Sequence, residues 1–402
     1  MQQSADRPVL SVDLSAPDPI PEAGIERAVE LMRSGLLFRY GEDRTGELEV
    51  SALEKEFAEY MGTQYAVALN SCGASLFVAL KCADVQPGDK VLVNAFTLAP
   101  VPGSIAHADA NAIFVECTDD YTIDLEDLEQ KANSGAKVLL MSHMRGHIAD
   151  MEAVAELCNR LGVCLIEDCA HTMGAKWNRR PTGTFGAIGC FSGQTFKHIN
   201  SGEGGLLVTN DDEIAAKAIL YSGSYMLYAQ NGARPPLEVF ERFKYQIPNF
   251  SLRMSGLAAA MLRPQLQLLS ERAETWNARY QLLASLLRQS NRITVPKRSN
   301  KEEFVASSIQ FSVHGLNDVE MDALLKKCDA RGVHIKWFGR SEPLGFTSLY
   351  GHWGYVRDVQ RLEQTDKVLK TMCDMRIPLC LTEDDCHTIA KIVHQSLVEV
   401  SA

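Results

Sequence analysis

The sequence predicts an α/β protein: a three-layer α/β/α sandwich on a mostly parallel sheet, with a smaller C-terminal α+β domain. Three observations point there. From about residue 65, short apolar runs alternate with longer amphipathic ones. Runs such as KVLVNAF and KVLLMSH are rich in Val and Leu without polar alternation, the pattern of parallel strands covered by helices on both faces. The chain has 402 residues, enough for two or three domains with a sizeable core.

The elements follow in chain order. Residues 1–20, with Pro8, Pro17 and Pro19 among charged side chains, read as an N-terminal arm. Residues 21–270 read as the large domain. In it the strand YAVALN hands over to the helix GASLFVALKCA, KVLVNAF to a mixed run, NAIFVEC to DLEDLEQKA, and KVLLMSHM to DMEAVAELCNRLG, before VCLIED. Between residues 183 and 209 the texture changes to GTFGAIGCFSGQTFK and GEGGLLVT, glycine turns between short strands. A long polar segment, 223–249, carries Pro235, Pro236 and Pro248 and precedes a helical run from Ser255 to about Leu287. The domain boundary is placed in that helix. Residues 271–402, with SIQFSV, DVEMDALLKKC, GVHIKWF and the terminal helix TEDDCHTIAKIVHQSL, read as the smaller domain.

Composition narrows the function. With 46% hydrophobic and 23% charged residues the chain is a folded, soluble one. Fifty-one acidic residues against forty basic give a net charge of −11, which repels phosphate backbones and argues against a dedicated nucleic-acid binder. The uncharged stretch from Tyr60 to Leu80 holds Thr63, Gln64, Asn70 and Ser71, so no membrane span is expected. The eleven cysteines show no CxxC pair and read as reduced thiols packed as small hydrophobes. Asp6, Arg7, Asp13 and Asp18 near the start do not make a targeting segment, so the expected location is the cytoplasm.

In open parallel sheets, ligands gather at the carboxyl ends of the strands. Three such ends carry candidates. At NSCGAS, residues 70–75, a strand passes through Cys72, Gly73 and Ala74 into a helix whose free N–H groups and dipole suit a phosphate. At Glu167-Asp168, two carboxylates end an apolar strand, where Asp168 is either a helix cap or a buried anion aimed at a ligand. At FSGQTFK, Lys197 sits among Phe, Thr and Ile between glycine turns, a setting in which a desolvated amine loses its proton and attacks a carbonyl. A phosphate anchor, an acid for a ring nitrogen and a later lysine are together what pyridoxal 5'-phosphate requires. The acid keeps the ring nitrogen protonated so that the ring accepts electrons from a breaking Cα–H bond. The lysine binds the aldehyde and then moves the proton.

Here the sequence resembles the DegT/DnrJ/EryC1/StrS family of sugar-type, fold type I aminotransferases. The resemblance is close over about residues 35–290 and looser beyond. It is carried by LEKEFAEYMGTQYAVALNS, PGDKVLVNAFT, SHMRGHIADMEAV, IEDCAHTMGA, FSGQTFKHINSGEGGLLVT and RMSGLAAAMLRPQLQLL. It implies that Lys197 is the cofactor lysine, Asp168 the partner of the ring nitrogen, His171 the neighbour of the ring hydroxyl and Ser192 a phosphate ligand. One branch of the family dehydrates sugars with histidine in place of the lysine, and Lys197 argues against that branch. Three positions depart from the family pattern. Cys72-Gly73-Ala74 stands where Gly-Thr-Ala is usual, Leu98 stands where an aromatic residue stacks on the ring, with Phe96 two positions earlier, and Ser251-Leu252-Arg253-Met254 replaces Asn-x-Arg-Met, a stretch supplied by a neighbouring subunit.

The expected activity is transfer of an amino group from an amino acid, glutamate or glutamine by the resemblance, to a keto or aldehyde acceptor, a sugar among the candidates. A homodimer with shared sites is expected, the partner contributing the Ser251–Arg253 region. The alternatives are a lyase, decarboxylase or cyclase on the same scaffold, and a cofactor-binding regulator without turnover.

Other signals weigh less. His143 and His147 have the H-x3-H spacing of a metal pair but flank a turn rather than a helix face, so no metal is assigned. Arg145 between them is either a substrate-carboxylate contact or a structural ion pair. Gly183, Gly186 and Gly189 lack the spacing of a dinucleotide loop. Trp337, Phe338, Tyr350, Trp353 and Tyr355 read as small-domain core. Arg39 in FRYG belongs either to an active-site entrance loop or to a surface turn.

Overall fold

The computed structural model describes residues 7–41, 48–342, 344 and 349–400. The first part of the chain supplies strands β1 (Tyr65–Leu69), β2 (Lys90–Asn94), β3 (Asn111–Val115), β4 (Val138–Ser142) and β5 (Cys164–Asp168). A small hairpin, β6 (Lys176–Trp177) and β7 (Arg180–Pro181), precedes β8 (Ile188–Ser192) and β9 (Gly205–Thr209). Seven of these form one sheet in the order β1-β9-β8-β5-β4-β2-β3. Only β9 runs against the rest, pairing antiparallel with both β1 and β8, so its first residue, Gly205, lies at the carboxyl ends of its neighbours.

The apolar strand runs are explained by burial on both faces. In β4, Leu139 and Met141 enter one core while Val138 and Leu140 enter the other, and β2 and β9 divide in the same way. Helices cover both faces and are capped as their sequences dictate. Ser71 Oγ accepts the Ala74 N–H, Asp150 caps the helix Met151–Leu161, and Asn317 with Glu320 forms a reciprocal capping box.

The later strands are β10 (Ile293–Thr294), β11 (Glu302–Glu303), β12 (Ser308–Val313), β13 (Lys336–Trp337) and β14 (Met372–Arg376). Four make an antiparallel sheet in the order β10-β12-β14-β13, packed by the helices Asp318–Asp329 and Glu383–Val400. Strand β11 instead pairs with β6, tying this part of the chain to the hairpin of the first.

Several sequence expectations need correction. The helical run 255–287 divides at Leu268, whose N–H bonds the Gln265 carbonyl three residues back and tightens the last turn of Gly256–Gln267 before Leu269–Leu287 begins. GVHIKWF contributes only the two strand residues of β13. The aromatic group does not form one core. Tyr350 and Trp353 cross over to pack on Phe114 of β3, with centroid distances of 5.8 Å, and Phe338 packs edge-on against Phe96. Tyr355 is exposed, its hydroxyl donating to the Ala99 carbonyl. Arg39 belongs to neither setting proposed for it. It is buried, with Nη2 at 2.8 Å from Glu54 Oε2, and Glu54 also accepts the Ala68 N–H of β1. No helix among the described residues is long and apolar enough to cross a membrane, and all eleven cysteines are free thiols.

Candidate active site

Strand alternation separates the two carboxylates that end β5. Glu167 shares a face with Leu165 and turns into the protein, where it accepts the N–H groups of Gly183, Phe185 and Gly186 at 2.7–2.8 Å and meets His143 Nε2 at 3.2 Å. Its four partners make it a fastener for the 183–186 turn. Asp168 faces the other way and lies in register with Ser142 of β4 and Cys190 of β8. Its Oδ2 accepts from Ser142 Oγ at 2.7 Å, and its Oδ1 accepts the Ala170 N–H at 3.1 Å. The local turn expected of a capping aspartate is thus present, on a carboxylate that is also buried at the strand end.

Lys197 follows β8 on a tight turn, its N–H bonded to the Gln194 carbonyl. The side chain is half-buried and brings Nζ to 3.0 Å from His171 Nε2. Burial, and next the Arg145 guanidinium, lower the amine to about 8, against the opposing pull of Asp168. Burial, then Lys197 and Arg145, hold the His171 imidazole well below its usual range, so it is neutral beside the amine. Lys197, His171, Leu98 and Arg145 line one cavity of about 610 Å³.

At the end of β1, Ser71 caps the helix Cys72–Cys82, and Gly205 of β9 lies so close that a Cβ there would fall 2.1 Å from the Ser71 carbonyl oxygen. A second cavity of about 610 Å³ opens on this turn, lined by Asn70, Ser71, Gly73 and Ala74, and Pro100 borders both cavities. A Cβ on Gly73 would meet nothing nearer than 3.9 Å. Cys72 joins the two regions, its Sγ 4.0 Å from Asp168 Oδ1, with burial and the Asp168 charge keeping the thiol protonated. Ser192 is buried at the end of β8, in register with Gly205.

These residues fit pyridoxal phosphate. A helix start bordering open space suits the phosphate, a fixed buried carboxylate suits the ring nitrogen, and an amine of lowered proton affinity suits the aldehyde. Leu98 lines the lysine cavity as an aliphatic wall, while Phe96 is buried against Tyr121 and Phe338. Ser251 is exposed, has a left-handed backbone (φ 54°), and lines neither cavity. Its neighbour Leu252 borders the phosphate-side cavity of its own chain. His143 and His147 diverge, the first to Glu167 and the second to Gln310 Oε1 at 2.8 Å. Of the two settings expected for Arg145 the structure shows the ion pair, with Asp374 at 3.0 Å, and the side chain also lines the lysine cavity.

Sequence reasoning missed Ser142, Lys336 and Arg376. Ser142 was within reach, because it is the last residue of an apolar run and the strand-end rule applies to it as to Asp168. Lys336 and Arg376 enter the cavity from β13 and β14, and no local pattern marks them.

Residues 20–394 match the model of the DegT/DnrJ/EryC1/StrS aminotransferase family. The chain is 30% identical over 267 residues to the spore coat polysaccharide biosynthesis protein SpsC of Bacillus subtilis, covering 64% of this chain and 65% of that protein. It is 30% identical over 317 residues to the 3-amino-5-hydroxybenzoate synthase of Amycolatopsis mediterranei, covering 77% and 76%. Among solved structures, a 3-amino-5-hydroxybenzoic acid synthase superposes with a TM-score of 0.84 at 24% identity, over 97% of this chain and all of that one, a likeness of fold. A putative sugar aminotransferase from Streptococcus pneumoniae, solved in PMP and PLP forms, superposes with TM-scores of 0.80 and 0.79 at 19% and 18% identity, over 96% of this chain and 99% and 98% of the two solved chains. The chain belongs to the DegT/DnrJ/EryC1/StrS aminotransferase family, whose enzymes depend on pyridoxal phosphate.

Proposed function

We propose that this protein is an aminotransferase that moves an amino group from an amino-acid donor, glutamate or glutamine, to a keto or aldehyde acceptor. The observation that carries the reading is the Lys197 amine, 3.0 Å from a neutral His171 in the cavity beside the buried Asp168 strand end. When bound, the cofactor would supply the aldehyde for the donor's amine and an electron sink for the carbanion at Cα. Asp168 would hold the ring nitrogen positive, with Ser142 and the Ala170 N–H fixing the carboxylate. Lys197 would take a proton from Cα and return it to the cofactor's reacting carbon. The neutral His171 would steer the amine and carry no charge that competes for the proton. The helix start at Cys72–Ala74 and Ser192 would anchor the phosphate, and Leu98 would cover one face of the ring.

A homodimer in the cytoplasm, with the partner's Ser251–Arg253 segment completing each site, belongs to the same reading, as does a division into an arm to residue 20, a large domain to 270 and a small domain beyond.

Borohydride reduction of the loaded enzyme should attach the pyridoxyl group to Lys197, and a label on any other lysine would sink the assignment. Mixing with glutamate or glutamine should convert the bound cofactor to its amine form, which a keto acceptor then reverses. Release of carbon dioxide or of a donor fragment without that conversion would favour a lyase or decarboxylase instead.

A further inference from the structure

Much of the charge around the lysine cavity is already engaged. Arg145 is paired with Asp374 at 3.0 Å, Asp329 is paired with His334, and Lys336 has interactions of its own. Arg376, the last residue of β14, donates through Nη1 to the Ala16 carbonyl of the N-terminal arm at 3.4 Å. Burial and the Arg145 charge lower its proton affinity, and the carboxylates of Asp18, Asp374 and Asp13 oppose that shift. Among the large apolar side chains of the lining, one stands apart. Leu14 is buried and Leu98 and Ile335 are half-buried, whereas Phe196 is 47% exposed. Phe196 precedes Lys197 on the tight turn 194–197. There the Gln194 carbonyl accepts the Lys197 N–H and the Gln194 side chain accepts the Phe196 N–H, both at 2.9 Å. Such turns ordinarily take Gly, Asn, Asp or Ser, so the backbone does not call for a phenyl ring. The Arg376 guanidinium lies over that ring, 4.4 Å from its centroid, which fixes the ring with a cation that the arm also holds. A large aromatic side chain left exposed in a concave site, with its orientation set, is a contact for an apolar ligand surface.

We propose that Phe196 is a specificity-determining residue, its exposed ring receiving the carbon face of a cyclic keto acceptor, and that Arg376 is the positioning residue that fixes the ring. The inference rests on the transfer reading above and names the shape of the acceptor within it. A saturated six-membered ring lays several C–H groups at once on an aromatic face. An open chain of equal carbon count must give up internal rotations to do the same. The preference therefore follows ring shape and needs no charge on the acceptor.

The test uses the loaded enzyme and two O-alkylhydroxylamines, which take the cofactor's aldehyde carbon from the lysine as an oxime and need no amino transfer. Rates are read from the visible absorbance and divided by those with free cofactor, which removes differences in intrinsic reactivity. The O-cyclohexyl probe should outrun the O-hexyl probe at least about fivefold, and F196A should cut that preference at least about threefold. F196Y should keep it. R376Q should lower it, and R376K, with a cation still over the ring, should recover part. Cofactor absorbance and Tm check folding. Equal rates for the two probes overturn the inference. So does a preference that F196A leaves unchanged, a loss in F196A that falls equally on both probes, or an F196A variant that changes only the oligomeric state. A preference that R376Q leaves in place overturns the part assigned to Arg376. A ring preference lost in F196A, in an enzyme whose cofactor neither glutamate nor glutamine converts to the amine form, would uphold the ring site and sink the transfer reading instead.

Discussion

Ser142 Oγ donates to Asp168 Oδ2 across 2.7 Å, and the two residues face each other in register on β4 and β5. Asn94 holds Ser142 from the other side, its Oδ1 accepting the Ser142 N–H and its Nδ2 donating to the Ser142 carbonyl. The orientation of Asp168 is thus set by side chains from two neighbouring strands. Removing the hydroxyl in S142A frees one carboxylate oxygen. A hydrogen bond to a charged group contributes about 1.5–3 kcal/mol, so kcat should fall roughly 10- to 100-fold. The cofactor should still bind, because its phosphate anchor and Lys197 are untouched. Steady-state kinetics beside cofactor retention on dialysis check this, and an unchanged kcat would show that Asp168 needs no help from Ser142.

Glu167 and Asp168 are adjacent in sequence and opposite in role. Glu167→Gln removes an acceptor from a carboxylate that holds three backbone N–H groups of the 183–186 turn. It should lower stability by about 1–3 kcal/mol, read as an earlier denaturation midpoint. Asp168→Asn should leave the midpoint nearly unchanged and remove most of the activity, since an amide does not hold a ring nitrogen protonated. Activity and stability losses falling on the same variant would contradict this division.

The fold and half of the site were legible because their signals are local. Burial on both faces leaves an unbroken Val and Leu run in β2 and β4, and strand ends mark Asp168 and the Cys72 turn. Lys197 was legible as an amine set in apolar, glycine-punctuated sequence. Which of Glu167 and Asp168 faces the site was not, because the apolar run on both sides hides the parity of the strand. The cations of β13 and β14 were invisible for a different reason. Lys336 and Arg376 lie far along the chain from Lys197, and only the packing of the second sheet against the first brings them into its cavity. Tyr355 and Trp353 misled because aromatic content signals burial without saying against what.

Proton affinity at Lys197 gives a pH signature. The amine is lowered from 10.5 to about 8, so the unfolded chain binds more protons than the folded one between those values. The burial penalty is full below about pH 8 and fades as pH rises toward 10.5, where stability gains. For function, the neutral amine is the nucleophile. The rate at which apo-enzyme captures pyridoxal phosphate should therefore rise with pH and level off above about 8. Arg145→Gln removes the cation that repels the amine most and should move that midpoint upward, toward the ordinary lysine range. Stopped-flow absorbance across the pH range reads both, and a midpoint that R145Q leaves in place would mean burial alone sets it.

Gly73 offers a gain of function. It stands in the first turn of the helix Cys72–Cys82, where a Cβ would meet nothing nearer than 3.9 Å, and it lies on the wall of the phosphate-side cavity. A glycine inside a helix costs about 0.5–1 kcal/mol relative to alanine, chiefly through backbone freedom in the unfolded chain. Gly73→Ser should relieve part of that cost and place a hydroxyl donor beside the N–H groups of the turn. A hydrogen bond to a phosphate oxygen is charge-assisted, so pyridoxal phosphate should dissociate several-fold to about tenfold more slowly, with a Tm no lower than that of the natural chain. Faster cofactor loss from G73S at an unchanged Tm would place the phosphate away from this helix start, and with it the ring position on which the roles of Asp168 and Leu98 depend.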